Sequence, residues 1–155
     1  MNDTIIFHKA DQYLHQLTLD KLISQSEHLL LKVSSMKLLD LCPDILTVDE
    51  NKVNIFHNDF FGTGDVHNIL IENITSVTTN SVPLSSSLEI VDSTNQLRPV
   101  TYQIGNLKNS DAHRARRLIL GLIVAKKESL NLSEFKDLTV LEQKLEQLGN
   151  SVNVA

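Results

Sequence analysis

The sequence predicts a mainly β fold with added helices, and three observations carry that prediction. Between residues 28 and 104, short apolar runs with strand periods are broken by turn-forming residues at roughly the 8–12-residue spacing of a sandwich or barrel. Ser110–Lys127 then reads as one long helix with a broad apolar stripe. The stretches outside this block, 1–27 and 130–155, carry helical spacing instead. The expected organisation is a helical N-terminal extension at 1–27, a β domain with its helix at 28–129, and a helical C-terminal tail at 130–155.

Within 1–27, Ala10, Tyr13, Leu14 and Leu17 fall on one helical face, and Leu19, Leu22 and Ile23 continue the pattern. From His28 the period changes. Leu29–Val33 predicts a strand, Ser34-Ser35 a turn, and Met36–Leu41 a second strand ended by Pro43-Asp44. Ile45–Val48 and Lys52–His57 predict a hairpin around Asp49-Glu50-Asn51. Asn58–Asp65, with Gly62 and Gly64, is a loop. Val66–Ile71 and Ile74–Thr78 are extended on either side of a bend at Asn73. Asn80–Ser87 reads as a loop, and Leu88–Val91 with Pro99–Ile104 as the last hairpin, which makes seven or eight strands.

In the helix, Ala115, Leu118, Ile119, Leu122 and Ile123 form the stripe, and Leu120, Val124 and Ala125 widen it, so burial on more than one side is expected. Asn109, Ser110 and Asp111 are candidate N-terminal caps, while Lys126 and Lys127 suit the negative end of the dipole. Gly121 lowers helix propensity by about 1 kcal/mol and reads as a point of close approach by another element. Farther on, Thr139 and Glu142 fit a capping box, Leu141, Leu145 and Leu148 share a face, and Gly149 is placed to end that helix.

A chain of 155 residues suffices for one domain with a real core and short appendages. The net charge of −5 argues against bulk nucleic-acid binding, and the 5% aromatic content without tryptophan weakens a base-stacking platform. A single cysteine, Cys42, makes no internal disulfide, and a buried structural role is expected for it. The N-terminus is interrupted by Asp3, His8, Lys9 and Asp11, lacks a signal-peptide core and leaves a cytoplasmic protein as the expectation.

The order of strands followed by one amphipathic helix resembles the pleckstrin-homology-like (PH-like) superfold, in its bacterial PH and GRAM-type form. Ile45–Ile55 resembles the family's strand, tight turn and strand, and Ile71-Glu-Asn-Ile74-Thr-Ser-Val77 its I-x-x-I-T-x-V step; Leu88–Val91 and Val100–Ile104 fit the last strands. The resemblance covers about Glu27 to Glu128. It implies a barrel of two near-orthogonal antiparallel sheets capped by the C-terminal helix, and a domain that binds proteins, peptides or lipids and is rarely an enzyme.

Candidate sites follow from the residues. Lys32 and Lys37 flank the first turn, fewer cations than an inositol-phosphate cradle wants. His113, Arg114, Arg116 and Arg117 cluster at the start of the long helix, with Arg114 and Arg117 on one face. They suit an acidic peptide or lipid headgroup, but the favoured reading is a solvated face or salt bridges to carboxylates of the strand loops. His57, Asp59, Asp65 and His67 bracket the glycine loop as a possible divalent-metal set or as ordinary hairpin decoration. Of Phe60 and Phe61, one is expected in the core and the other is a candidate interface anchor. No nucleophile elbow or phosphate-cradling glycine loop is present.

The expected function is therefore non-catalytic, with no cofactor. A protein or peptide partner adds to a sheet edge or lies beside the capping helix, where the chain's own terminal helices or a second copy could also sit. The alternatives are attachment to anionic lipid through Lys32, Lys37, Arg114, Arg117 and Phe60 or Phe61, and a small metal-dependent hydrolase at His57, Asp59, Asp65 and His67.

Overall fold

A computed structural model describes residues 29–39, 41–58 and 64–152. The expected N-terminal helix, Asp59, Phe60, Phe61 and the last three residues lie outside the described residues. Two antiparallel sheets follow one another along the chain. The first has four strands in sequence order, β1 (Leu29–Ser34), β2 (Ile45–Asp49), β3 (Lys52–His57) and β4 (Asp65–Leu70). The second has three, β5 (Ile74–Ser81), β6 (Ser86–Asp92) and β7 (Val100–Leu107). Two helices come after them, α1 (Asn109–Lys127) and α2 (Leu138–Ser151).

The period-two pattern sets the register. Leu46 faces Ile55 and Val48 faces Val53 across β2 and β3, and all four are buried. The predicted turn between them is held by Asp49, whose Oδ1 accepts from the backbone N–H groups of Asn51 and Lys52 at 2.8 and 2.9 Å. Ile71 and Ile74, buried on either side of a short 3-10 turn (Ile71–Asn73), mark the corner where the chain passes from one sheet to the other. The corner is tied by Ile71 N–H to the Asn51 carbonyl and by Ser93 N–H to the Asn73 carbonyl, both 2.9 Å.

Four expectations about the strands change. The sheets form an open arrangement rather than a closed barrel: neither ladder includes a strand of the other sheet, although Met36 N–H reaches the Asn106 carbonyl at 2.8 Å. Met36–Leu41 is not a strand. Ser35 N–H binds the Asp44 carbonyl at 2.9 Å, Asp44 N–H binds Ser35 Oγ at 2.8 Å, and this exchange pinches the intervening residues into a loop. The serine-rich loop shrinks to a tight turn at 82–85, because β5 and β6 run on to Ser81 and Ser86, whose hydroxyls pair at 2.8 Å. β7 also runs past Ile104. Asn106 takes a positive φ of 55°, which asparagine tolerates, at the register shift that turns Leu107 into the core.

α1 lies across the sheets and buries Ala112, Ala115, Leu118, Ile119, Leu122 and Ala125. Its N-cap residue is Lys108 and no side chain caps it. Asn109 is drawn away instead, accepting from Ser86 Oγ at 2.9 Å and donating to the Val82 carbonyl at 3.3 Å. At the other end Ser129, with φ 52°, reverses the chain. Leu130 N–H returns to the Ala125 carbonyl and Ser129 N–H to that of Lys126, the paired bonds of a Schellman motif.

α2 packs on α1 through Leu141 and Leu145, on the face the spacing predicts. Its cap is Asp137, whose Oδ1 accepts from Thr139 and Val140 N–H, and not Thr139. Gly149 lies inside the helix rather than at its end. The expected close approach at Gly121 is present: a Cβ there would lie 2.7 Å from the Leu145 carbonyl carbon. A Cβ on Gly149 would lie 2.8 Å from the Gly121 nitrogen, so the two helices meet backbone to backbone. No helix among the described residues is long and apolar enough to cross a membrane.

Candidate functional site

The basic cluster on α1 faces α2. Arg114 donates from Nε to Glu146 Oε1 at 2.9 Å and from Nη2 to Glu142, and Arg117 donates from Nη2 to Glu146 Oε2 at 2.9 Å. The hydrogen bond to Glu146 is the main cause that holds the Arg114 guanidinium above its ordinary pKa, with both carboxylate charges adding and burial opposing. The carboxylates come from the C-terminal helix, not from strand loops. Glu142 is thus an ion-pair partner rather than half of a capping box.

The other two basic residues of the cluster cover the β5 edge. Arg116 Nε donates to the Val77 carbonyl at 3.1 Å, and His113 lies 3.4 Å from Thr79 Oγ1 and 3.3 Å from Ser81 Oγ. A peptide adding to β5 would displace these contacts.

Beside the helix pair runs an apolar groove of about 230 Å³, lined by Leu130, Leu132, Phe135, Leu141, Leu145 and Leu148. The chain builds it locally. The Schellman reversal throws Leu130 onto its wall, and a 3-10 turn (Leu132–Glu134), with Asn131 accepting from Ser133 N–H, brings in Leu132 and Phe135. Lys144 reaches over the Phe135 ring, 5.8 Å from its centre, and places a cation on the rim. Of its lining, Leu130 and Phe135 are exposed. Helical spacing singles out Leu141, Leu145 and Leu148 of this lining, whereas Leu130, Leu132 and Phe135 sit on a helix end and a 3-10 turn that carry no such pattern.

The end of the molecule near the β7–α1 junction carries a second apolar surface. Leu38 and Leu41 of the β1–β2 loop are 94% and 88% exposed, and Leu84 of the β5–β6 turn is 78% exposed. Both loops are tied to residues 106–109, the first by Met36 to Asn106 and the second by Asn109 to Val82. Lys37 is exposed in the first loop and Lys32 on β1. Arg114 and Arg117, engaged with α2, do not join them.

The histidines meet at the mouth between the sheets. His57 and His67 project from the same face of β3 and β4 with ring centres 5.6 Å apart, and His67 lies 4.7 Å from Tyr102 of β7. His57 Nδ1 and Asp44 Oδ2 are 2.8 Å apart, and Asp44 Oδ1 accepts from Asn58 N–H at 3.0 Å. Asp44 is a partner the spacing did not suggest. Among the described residues, no three histidine, cysteine or carboxylate side chains are grouped to hold a metal. Cys42 is half-buried rather than buried.

Comparison with protein-family models, with curated proteins and with solved structures gives no match to this chain.

Proposed function

We propose that this chain is a non-catalytic interaction module of PH-like build, whose partner is an amphipathic protein helix received in the groove beside α1 and α2. The groove carries this reading: its lining is almost wholly apolar, it opens to solvent, and Lys144 places a cation on the rim. A helix with apolar residues at i, i+3, i+4 and i+7 and an acidic residue toward Lys144 matches that chemistry. The PH-like part of the reading is supported by the sequence of four strands, three strands and a helix laid across them. The covered β5 edge favours the groove over strand addition there.

The test is selection of helical peptides on the full-length protein, read by the methyl resonances of Leu132, Leu141 and Leu145. Selected peptides are expected to shift these methyls and to lose roughly tenfold in affinity on Phe135→Asp or Leu130→Asp. Peptides that bind equally well to both variants and leave the groove methyls unmoved would remove the reading.

A second reading has its own observation. Exposed Leu38, Leu41 and Leu84 beside Lys37 suit shallow insertion into an anionic bilayer. Co-sedimentation with anionic vesicles that falls with salt and is lost in Leu38→Asp would support it. Indifference to vesicle charge and to that substitution would end it.

A further inference from the structure

Open sheets have edges. Among the described residues the edge strands are β1 and β4 in the first sheet and β5 and β7 in the second. An edge strand offers unpaired backbone groups to any other strand, and monomers blunt such edges with lysines, bulges or a covering element. β1 breaks register between Leu29 and Leu31, carries the exposed Lys32 and lies against α2. β5 is covered by Arg116 and His113. β7 shifts register between Ile104 and Leu107, where Asn106 turns left-handed and gives its carbonyl to Met36 N–H. Among the described residues nothing blunts β4 in this way. It pairs residue for residue with β3 from Asp65 to Leu70, without a bulge, a proline or a lysine. Beyond that ladder, residues 66–69 make no backbone hydrogen bond to any described residue. Val66, Asn68 and Leu70 share its outer face and are all exposed, while Ile69 faces the core. Asn68 stands beside Asn54, and Asn54 beside Thr47, to which its Nδ2 donates at 3.1 Å. Asn54 Oδ1 is buried and lacks a donor among the described residues.

We infer that β4 pairs antiparallel with β4 of a second copy about a two-fold axis at Asn68, joining the two four-stranded sheets into one continuous sheet. In that register Asn68 stands opposite Asn68 of the second copy, and Val66 stands opposite its Leu70, twice over by symmetry. Residues directly opposite share a face, so apolar meets apolar on the outer side. The row of Thr47, Asn54 and Asn68 then runs on through both copies, and Asn68, fixed between its own copy and Asn54, supplies the donor that Asn54 Oδ1 lacks. Other registers fit worse. Slipping the pair until Asp65 stands opposite Ile69 would bury a carboxylate in the core-facing row. An odd slip would set the outer face of one strand against the core face of the other. The pairing uses none of the groove residues, so it stands independently of the docking reading above.

Sedimentation of the full-length protein over a concentration series tests it. The parent is expected to pass from monomer to dimer at roughly micromolar concentration. Val66→Lys, which puts a cation at an exposed edge position, is expected to raise the dimer dissociation constant about tenfold or more. Leu130→Asp in the groove is expected to leave that constant unchanged. A second measurement reads the register. In a Cys42→Ser background, Asn68→Cys is expected to give a disulfide-linked dimer under mild oxidation, and Val66→Cys to do so only together with Leu70→Cys. A parent that stays monomeric up to about 0.5 mM would overturn the inference. So would a dimer indifferent to Val66→Lys, or one in which Asn68→Cys gives no link. A dimer abolished by Leu130→Asp would overturn it too, because the second copy would then sit in the groove.

Discussion

An added methyl group at Gly121 has nowhere to go, because the backbone of Leu145 already occupies its place, and the same holds at Gly149 against Arg117 and Gly121. Replacing a helical glycine by alanine ordinarily stabilises by about 1 kcal/mol. Here Gly121→Ala and Gly149→Ala should each destabilise, by about 3 kcal/mol, as backbones cannot step aside like side chains do. Urea unfolding of both variants checks the sign. Ser129 is the opposite case: with φ 52° it carries left-handed strain of about 1 kcal/mol that glycine would not, so Ser129→Gly should raise stability by a comparable amount. The close approach at Gly121 was legible, since a glycine within an apolar helical stripe calls for a reason. The role of Gly149 was not, because a glycine near the end of a helical pattern reads first as a stop.

Between elements, the contest is over how α2 is held. Glu146 accepts from both Arg114 and Arg117, Glu142 from Arg114 alone, so Glu146→Ala should cost more than Glu142→Ala. These are half-exposed pairs, and a double-mutant cycle between Arg114 and Glu146 should give a coupling of about 1 kcal/mol that shrinks with added salt. Because the folded pKa of Arg114 is raised, its contribution is complete below the ordinary arginine value and lost only above it. That coupling should therefore hold constant between about pH 7 and pH 10. Asp137→Ala should cost about 1 kcal/mol through the lost cap, and Thr139→Ala much less, by thermal melting. The sequence showed a helix at 138–151 and its buried face. It did not show which acid caps and which pairs, since both duties suit a carboxylate, and the arginine that settles the matter lies 28 residues upstream.

At the scale of the whole molecule, alternating apolar residues such as Leu46, Val48, Val53 and Ile55 were enough to place the strands, because a register slip would expose all of them. What the alternation does not encode is whether the last strand of one sheet pairs with the first of the other. The sheets stay open because the chain turns the corner at Ile71–Asn73 in a 3-10 turn instead of running on as a strand. Met36–Leu41 was misread for a related reason: its leucines look like a strand but face outward, 94% exposed at Leu38. The candidate groove was least legible, being assembled from a helix end, a 3-10 turn and one helix face that are ordinary taken separately.

The glycine crossing also sets a rule of admission. A helix can lie where α2 lies only if it offers a bare backbone opposite Gly121, since any side chain at the position of Gly149 would strike a carbonyl. The seat is therefore a gauge that measures a visiting helix at a single turn and refuses nearly all of them. The seat beside α1 is therefore specific to α2, whose glycine meets that turn without a side chain.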